Sequence, residues 1–290
     1  MAKKKQVIKK HREVRAPTTK GTIIRPEELE DPKLLEEPEA DEYVPPEWLT
    51  PEHQSMRYLV REYYRAQAAR IRAGNYLKRL EARGIEPDRL KSFLEDQKQG
   101  RLWEGRRRRE IEKRLEDFPI WSERLKNLRG VGVVLAGGCI GEPGPLDRFN
   151  HASAVWKYWG LAVGKDGWAM RAEAGEKRPF NRRLKVLAWK ISKSFVMIDG
   201  PYREFYRQRK VFEESRRHYS EARLRERRGA PPEAQIKGLQ AYLDTKARRW
   251  TVKLFVAHLW QRSRELSGLP VTEPYVIAVM GHSDKIEPPF

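Results

Sequence analysis

The alternation of apolar and polar positions predicts helices along most of the chain from residue 50 onward. Thr50 and Pro51 are typical of a helix start, since a hydroxyl caps the first turn and proline suits the first helical position. Gly84 is expected to end that helix and Pro87 to begin another. Apolar residues recur at alternating spacings of three and four, with Arg70 as the one polar interruption, which predicts a coiled-coil seam. The seam comprises Met56, Leu59, Tyr63, Ala66, Ala73, Leu77 and Leu80.

The second helix has an apolar start and an apolar end, but its middle carries Gly100, Gly105 and the run Arg106–Arg109. We expect it to be broken there, since glycine is a poor helix former. The pair predicts an antiparallel helical hairpin over residues 48–118 that dimerises or braces the next domain. The arginine run is either a solvated face or a contact with nucleic acid.

The two ends of the chain lack a sustained period. Residues 1–47 are first basic and then acidic and proline-rich, which predicts a disordered tail. Its basic part either holds phosphates loosely or keeps the chain soluble. Residues 268–290 are predicted to form an extended tail.

A helix-hairpin-helix pattern lies between residues 125 and 140. A first helix is expected to end near Leu128, and a second to begin at about Val133, with the turn Gly130-Val131-Gly132 between them. Glycine permits a positive φ and the close approach of another backbone. The turn leaves N–H groups at the start of the second helix, where the helix dipole also favours a phosphate.

Lys126 and Arg129 precede this turn and add positive charge to it. The pattern therefore predicts sequence-independent binding of a nucleic-acid backbone. The alternative is an ordinary turn between helices, with small residues that allow close packing.

An amphipathic helix follows a loop that is rich in glycine and charge and ends in Lys177-Arg178. The apolar residues that fall on one face of this helix are Phe180, Leu184, Leu187, Ala188, Ile191 and Phe195. The basic residues predicted to point outward are Arg182, Arg183, Lys185, Lys190 and Lys193. No acidic residue occurs between Lys177 and Ile198, so this face is typical of one that follows a phosphate backbone.

Residues 201–267 form a predicted C-terminal helical extension. Pro201 begins a charged helix that is expected to run to about Arg228, and residues 229–232 are a linker. The last helix carries apolar residues at core spacing. These residues are Ile236, Leu239, Leu243, Trp250, Leu254 and Ala257.

Composition narrows the class of partner. Sixty Lys and Arg against 41 Asp and Glu give a formal charge of +19 over 290 residues. Such an excess favours a polyanion such as DNA or RNA. The single cysteine, Cys139, lies in an apolar run and is expected to be a small buried residue. Six histidines without ligand spacing predict no zinc site.

We expect a cytoplasmic protein of a prokaryotic or viral host, with no membrane partner. No apolar run approaches the ~20 residues needed to cross a bilayer. The basic N-terminus is not followed by the apolar segment of a secretory signal.

Several short motifs follow the hairpin in order: Leu146-Asp147-Arg148-Phe149, a helix ending Tyr158-Trp159-Gly160-Leu161, the basic loop, and Asn181-Arg182-Arg183-Leu184. In this order, residues 120–200 resemble the C-terminal domain of the IS-one-ten group of insertion-sequence transposases. That resemblance implies a helix-hairpin-helix domain over 119–200, binding of DNA and of a structured guide RNA, and a role in DNA transposition or recombination.

The family resembled has two active centres that the residues here do not match. One is a set of four acidic residues in an N-terminal RuvC-like domain that holds Mg²⁺, and residues 1–47 do not have that pattern. The other is a serine between the third and fourth motifs, but Ala162–Phe180 contains no serine. We therefore expect no catalytic residue, metal or cofactor in this chain.

The sequence predicts a mostly α fold and a DNA-binding protein related to these transposases, without its own catalytic centre. Two alternatives stay open: a recombinase that a partner chain completes, and an RNA-binding factor unrelated to transposition. The residues predicted to meet nucleic acid are Lys126, Arg129, Gly130, Val131, Gly132, Lys177, Arg178, Arg182, Arg183, Lys185, Lys190 and Lys193. A homodimer through the helical hairpin is a further expectation.

Overall fold

A computed structural model describes residues 46–84, 86–164, 166–172, 175, 179–231, 236–272 and 286–290. The predicted mostly α fold is confirmed, and the only extended pairing among these residues is an isolated bridge between Val163 and Ala169. The helices are α1 (Pro51–Glu81), α2 (Lys91–Leu115), α3 (Val133–Gly141), α4 (Ala152–Tyr158), α5 (Arg182–Met197), α6 (Pro201–Ser215), α7 (Arg217–Arg228) and α8 (Leu239–Leu266). The tail predicted over residues 1–47 lies almost entirely outside the described residues.

Helices α1 and α2 form the predicted helical hairpin. Thr50 caps α1, because its hydroxyl accepts a hydrogen bond from the backbone N–H of His53. The predicted break in α2 is wrong, since the helix runs without interruption from Lys91 to Leu115. Gly100 instead serves as a contact point, where an added Cβ would lie 2.8 Å from Cβ of Arg70. A glycine there therefore allows the two helices to approach closely.

Glycines of α3 bring the base of the hairpin against the rest of the molecule. A Cβ at Gly141 would lie 2.6 Å from the backbone N of Arg57, and one at Gly137 would lie 2.8 Å from Ile111. The Arg57 guanidinium donates to the carbonyls of Gly141 and Glu142 at 3.1 and 2.8 Å. Arg61 donates to the buried Glu142 carboxylate at 2.8 and 3.2 Å. The hairpin thus braces α3 through close backbone contact and paired buried charges.

One hydrophobic core runs from the base of the hairpin to α8. Met56 and Leu115 of the hairpin, Trp159 after α4, Phe195 of α5 and Phe255 of α8 are all fully buried in it. Cys139 is also buried and free, as predicted. The three segments predicted as domains share this core, and the boundaries between them stay predictions.

The predicted single helix from Pro201 to Arg228 is wrong, because the backbone breaks at Arg216 (φ −103°, ψ 23°) and separates α6 from α7. Gly229, in the left-handed region, ends α7. A smaller cluster of Leu224, Leu239 and Leu243 joins α7 to α8. A cleft lies along one face of α6 and α7, beside Lys246 of α8.

Candidate nucleic-acid interface

The Gly130-Val131-Gly132 turn has the predicted form. Gly130 has a φ of +98°, and an added Cβ there would lie 2.8 Å from the Phe195 ring. Val131 is buried, and its N–H donates to the Leu128 carbonyl at 3.2 Å. Gly130 therefore needs glycine both for its backbone conformation and for its contact with α5.

Gly132 occupies the N-cap of α3 with an ordinary extended backbone (φ −78°, ψ 173°) and no side-chain cap. It is exposed, and an added Cβ would meet no atom within 4 Å. Its role is therefore different from that of Gly130. The first N–H groups of a helix have no intrahelical acceptor, and here no side chain at the cap covers them. The turn can offer these donors to an anion.

Helix α3 runs antiparallel to α5. Gly130 contacts Phe195 near the C-terminal end of α5, whereas Gly138 contacts Leu187 in its middle. The open N-terminus of α3 consequently lies beside the last turn of α5. Met197, at that end, is 74% exposed.

The two cations before the turn differ in their surroundings. The Lys126 ammonium forms an ion pair of 2.9 Å with Glu116, and both side chains are about half exposed. An ion pair in such a position is weak, so Lys126 can still turn toward an anion. Arg129 is exposed and has no carboxylate partner among the described residues. It lies next to Gly200, where an added Cβ would be 3.0 Å from Cβ of Arg129.

Four of the five predicted cations of α5 fall on one side of that helix. At about 100° per residue, Arg182, Arg183, Lys190 and Lys193 lie within an arc of about 100° on the side opposite the buried face. We call these four residues the α5 arc. Lys193 is exposed and lies over the Trp189 ring at 4.9 Å, while the Lys190 ammonium lies 3.6 Å from the Tyr64 ring centroid.

Lys193 alone of the five cations predicted to point outward is exposed, Arg182, Arg183 and Lys190 are half-buried, and the prediction is wrong for Lys185. It lies about 110° from the middle of the α5 arc, on the side facing the loop after α4. Its ammonium donates to the Met170 carbonyl at 2.7 Å and lies 4.3 Å from the Phe180 ring. Burial, together with the positive charges of Arg249 and Arg171, lowers the pKa of Lys185 to about 8. Lys185 therefore anchors the loop.

The basic loop is only partly described. Lys177 and Arg178, which were predicted to meet nucleic acid, lie outside the described residues. The start of the loop is held by Arg249, which donates to the carbonyls of Leu161 and Ala162 at 2.7 and 2.8 Å. The loop is thus fixed to α5 and α8 by two half-buried cations.

Three residues of the motifs that resemble the transposase domain have packing or capping roles in this structure. Arg148 lies 3.9 Å from the ring centroids of both Trp48 and Phe149. Gly160 has a φ of +65°, with Lys185 and Phe180 atoms 3.0 Å from an added Cβ. The Asn181 side chain caps α5 by accepting from the N–H groups of Arg183 and Leu184. These packing and capping roles explain the residue types without a catalytic or binding function.

Two serines close to the loop show no sign of an activated nucleophile. The Ser192 hydroxyl is buried and donates to the Trp189 carbonyl at 2.8 Å. Ser153, on α4, is exposed, and no side chain of the described residues hydrogen-bonds to it. A serine nucleophile needs a neighbouring base.

Sequence reasoning missed the aromatic partners of these cations. Tyr64 is adjacent to the predicted seam residue Tyr63, and Trp189 lies between two buried positions of α5. Val155 and Trp159 are fully buried, so they pack in the core and are not free to stack on bases. Trp156 is half-buried and donates to the Lys253 carbonyl at 2.9 Å.

In the part of the chain that the structure describes, no group of three or more His, Cys, Asp or Glu side chains is placed to hold a metal ion. No helix in that part is long and apolar enough to span a bilayer. Comparisons of the chain with protein-family profiles, with curated proteins and with solved structures found no match.

Proposed function

We propose that this chain binds the phosphate backbone of duplex nucleic acid, chiefly DNA, through the Gly130–Gly132 turn and the α5 arc. The observation that carries the proposal is the N-terminus of α3, which no side chain caps and which lies beside the last turn of the basic helix α5, just after the exposed Arg129. Backbone donors and arginines hold phosphates whatever the base sequence. The formal charge of +19 supports the same class of partner.

The sequence resemblance over residues 120–200 suggests the biological setting. We place the chain among proteins related to insertion-sequence transposases, in DNA transposition or recombination, without its own catalytic centre. The commitment of Ser192 to a backbone carbonyl is consistent with this reading. A homodimer through the helical hairpin belongs to the same proposal, and the exposed Tyr76 and Trp103 lie on the surface that it would use.

Gly132→Glu tests the turn directly. The backbone at Gly132 is ordinary and its surroundings are open, so the substitution should preserve folding. The new carboxylate would occupy the donors of α3 and repel a phosphate, and we expect at least about ten-fold weaker binding of a fluorescein-labelled duplex DNA. Gly132→Gln, which has the same shape without the charge, is the matched control and should bind nearly as the parent does. Equal affinities of the Glu and Gln variants would remove the turn from the interface.

A plasmid-nicking assay with Mg²⁺ separates the proposal from an active recombinase. We expect no cleavage by the purified chain. Cleavage that appears only when a second protein is added would favour a recombinase completed by a partner. A strong preference for structured RNA over duplex DNA in the same titration would favour the RNA-binding alternative.

A further inference from the structure

A shallow cleft that the proposed interface does not use lies along one face of α6 and α7, where they pass α8. It has a volume of about 270 Å³, and Lys246 of α8 closes its floor. The cationic and aromatic side chains that line it are Arg209, Phe212, Arg216, Tyr219, Arg223 and Lys246. The cleft thus combines four cations with two aromatic rings.

Glu213 is the one carboxylate that lines this cleft, and two cations of the cleft already neutralise its charge. Its side chain is 2% exposed and forms ion pairs with Arg209 at 2.6 Å and Lys246 at 2.5 Å. Lys246 also donates to the Ser220 hydroxyl at 3.0 Å. Arg216 and Arg223 have no carboxylate partner among the described residues, so the cleft keeps a positive charge at its mouth.

The rings of the cleft stand in the solvent with arginines against them. Phe212 is 42% exposed and Tyr219 is 57% exposed. The Arg216 guanidinium lies 5.5 Å from the Phe212 centroid and 5.0 Å from the Tyr219 centroid. The Arg209 guanidinium lies 4.5 Å from the Phe212 centroid. The two exposed rings and the planar guanidinium groups beside them together offer flat surfaces for stacking.

This arrangement continues along one face of α7. Arg216, Tyr219, Arg223 and Arg227 follow one another at spacings of three, four and four, which places them on a single face. Arg223 and Arg227 lie 4.9 and 4.2 Å from the ring of Trp168. The row is about 17 Å long at 1.5 Å per residue, enough to contact several nucleotides.

We propose that this row on α6 and α7 binds single-stranded nucleic acid, with bases stacked on Phe212 and Tyr219 and phosphates on Arg216 and Arg223. Rings can stack only on bases whose faces are exposed, which a duplex does not offer along its length. A merely acidic peptide would be served by the arginines alone and would leave the exposed rings unexplained. The row differs from the α5 arc both in position and in the form of nucleic acid that it recognises, so this inference goes beyond the proposed function.

The double variant Phe212→Ala/Tyr219→Ala removes both stacking surfaces without changing charge. We expect it to weaken binding of a labelled mixed-sequence single strand of about 12 nucleotides by roughly ten-fold or more. Phe212→Tyr/Tyr219→Phe keeps both rings and should bind as the parent does. Arg216→Ala should also weaken the single strand, whereas Arg207→Ala, an exposed arginine of α6 outside the cleft, removes the same charge and should have little effect.

Each variant is titrated with single-stranded RNA, single-stranded DNA and duplex DNA, and its fold is checked by circular dichroism. A loss confined to both single strands supports the proposal, and a loss confined to one of them supports it for that nucleic acid. Unchanged single-strand affinity in the double-alanine variant would overturn it. Polyglutamate is added as a competitor to the parent and to the double-alanine variant. Displacement of the single strand from both with equal strength would also overturn the proposal, since the row would then be a surface for acidic peptides. Gly132→Glu should leave single-strand binding intact, so failure of one proposal does not decide the other.

Discussion

At the scale of single residues, the two glycines of the hairpin turn have different physical requirements. Gly130 has a φ of +98° and an added Cβ would lie 2.8 Å from Phe195, whereas Gly132 has an extended backbone in open space. Gly130→Ala should therefore lower the free energy of unfolding by roughly 1–3 kcal/mol, the cost of a strained backbone. Gly132→Ala should cost under about 1 kcal/mol, because it only weakens an N-cap.

Urea denaturation of the two single variants measures this difference. Equal losses of unfolding free energy would mean that the turn does not have the geometry described. The comparison also separates folding from binding, because Gly132 can then be changed in binding experiments without concern for stability.

At the scale of one helix, the sixteen residues of α5 contain both the cations proposed to bind phosphate, in the α5 arc, and a control cation, Lys185. Arg182→Ala/Lys193→Ala removes two cations of the arc. If both meet phosphates, the slope of log affinity against log salt for B-DNA should become shallower by roughly 2, at about 0.9 per contact. Lys185→Met should leave the slope unchanged, because the Lys185 ammonium is bonded to the Met170 carbonyl.

Affinity for several duplexes of different sequence, each measured at several salt concentrations, gives these slopes. The loss should be uniform across sequences, since phosphate contacts carry no sequence information. A shallower slope for Lys185→Met would show that this lysine leaves the Met170 carbonyl to meet the backbone. An unchanged slope for the double variant would exclude the arc.

At the scale of the whole molecule, the hairpin and the remaining helices should unfold together, because one core connects them. Gly141→Ala tests the junction. Its Cβ would lie 2.6 Å from the Arg57 backbone N, an atom that cannot move without shifting α1, so we expect a loss of about 1–3 kcal/mol in a single transition. Gly105→Ala is the control, since its Cβ would meet only the end of Arg109 at 3.7 Å. There the helix propensity of alanine should add about 0.5–1 kcal/mol.

Thermal unfolding followed by circular dichroism and by tryptophan fluorescence reports both parts of the molecule. Transitions that separate in Gly141→Ala would mean that the hairpin folds as an independent unit. A gain of stability in Gly141→Ala would contradict the close contact between α1 and α3.

The sequence by itself determined helix caps and the buried face of α5, but not every helix boundary, since α2 is unbroken and α6 and α7 are separate. Thr50, Asn181 and Gly229 cap helix ends, and the left-handed Gly84 follows the end of α1, because these preferences depend on local backbone chemistry. The periodicity of α5 identified its buried face, because a 3.6-residue repeat places apolar side chains together whatever the partner. The hairpin turn was recognisable for the same local reason.

Only the tertiary structure decided which helices meet and where each cation points. Lys185 lies in the same basic stretch of sequence as the α5 arc. Its ammonium instead binds the Met170 carbonyl and lies over the Phe180 ring, so it faces the loop. The contacts of Gly100 and Gly141, which a helix-propensity argument treats as breaks, depend on neighbours more than 25 residues away in the chain. The row of arginines and rings on α6 and α7 meets Trp168, which lies more than 50 residues earlier in the chain, only through tertiary packing. Local patterns cannot encode such approaches, because these depend on the packing of surfaces that are distant in sequence.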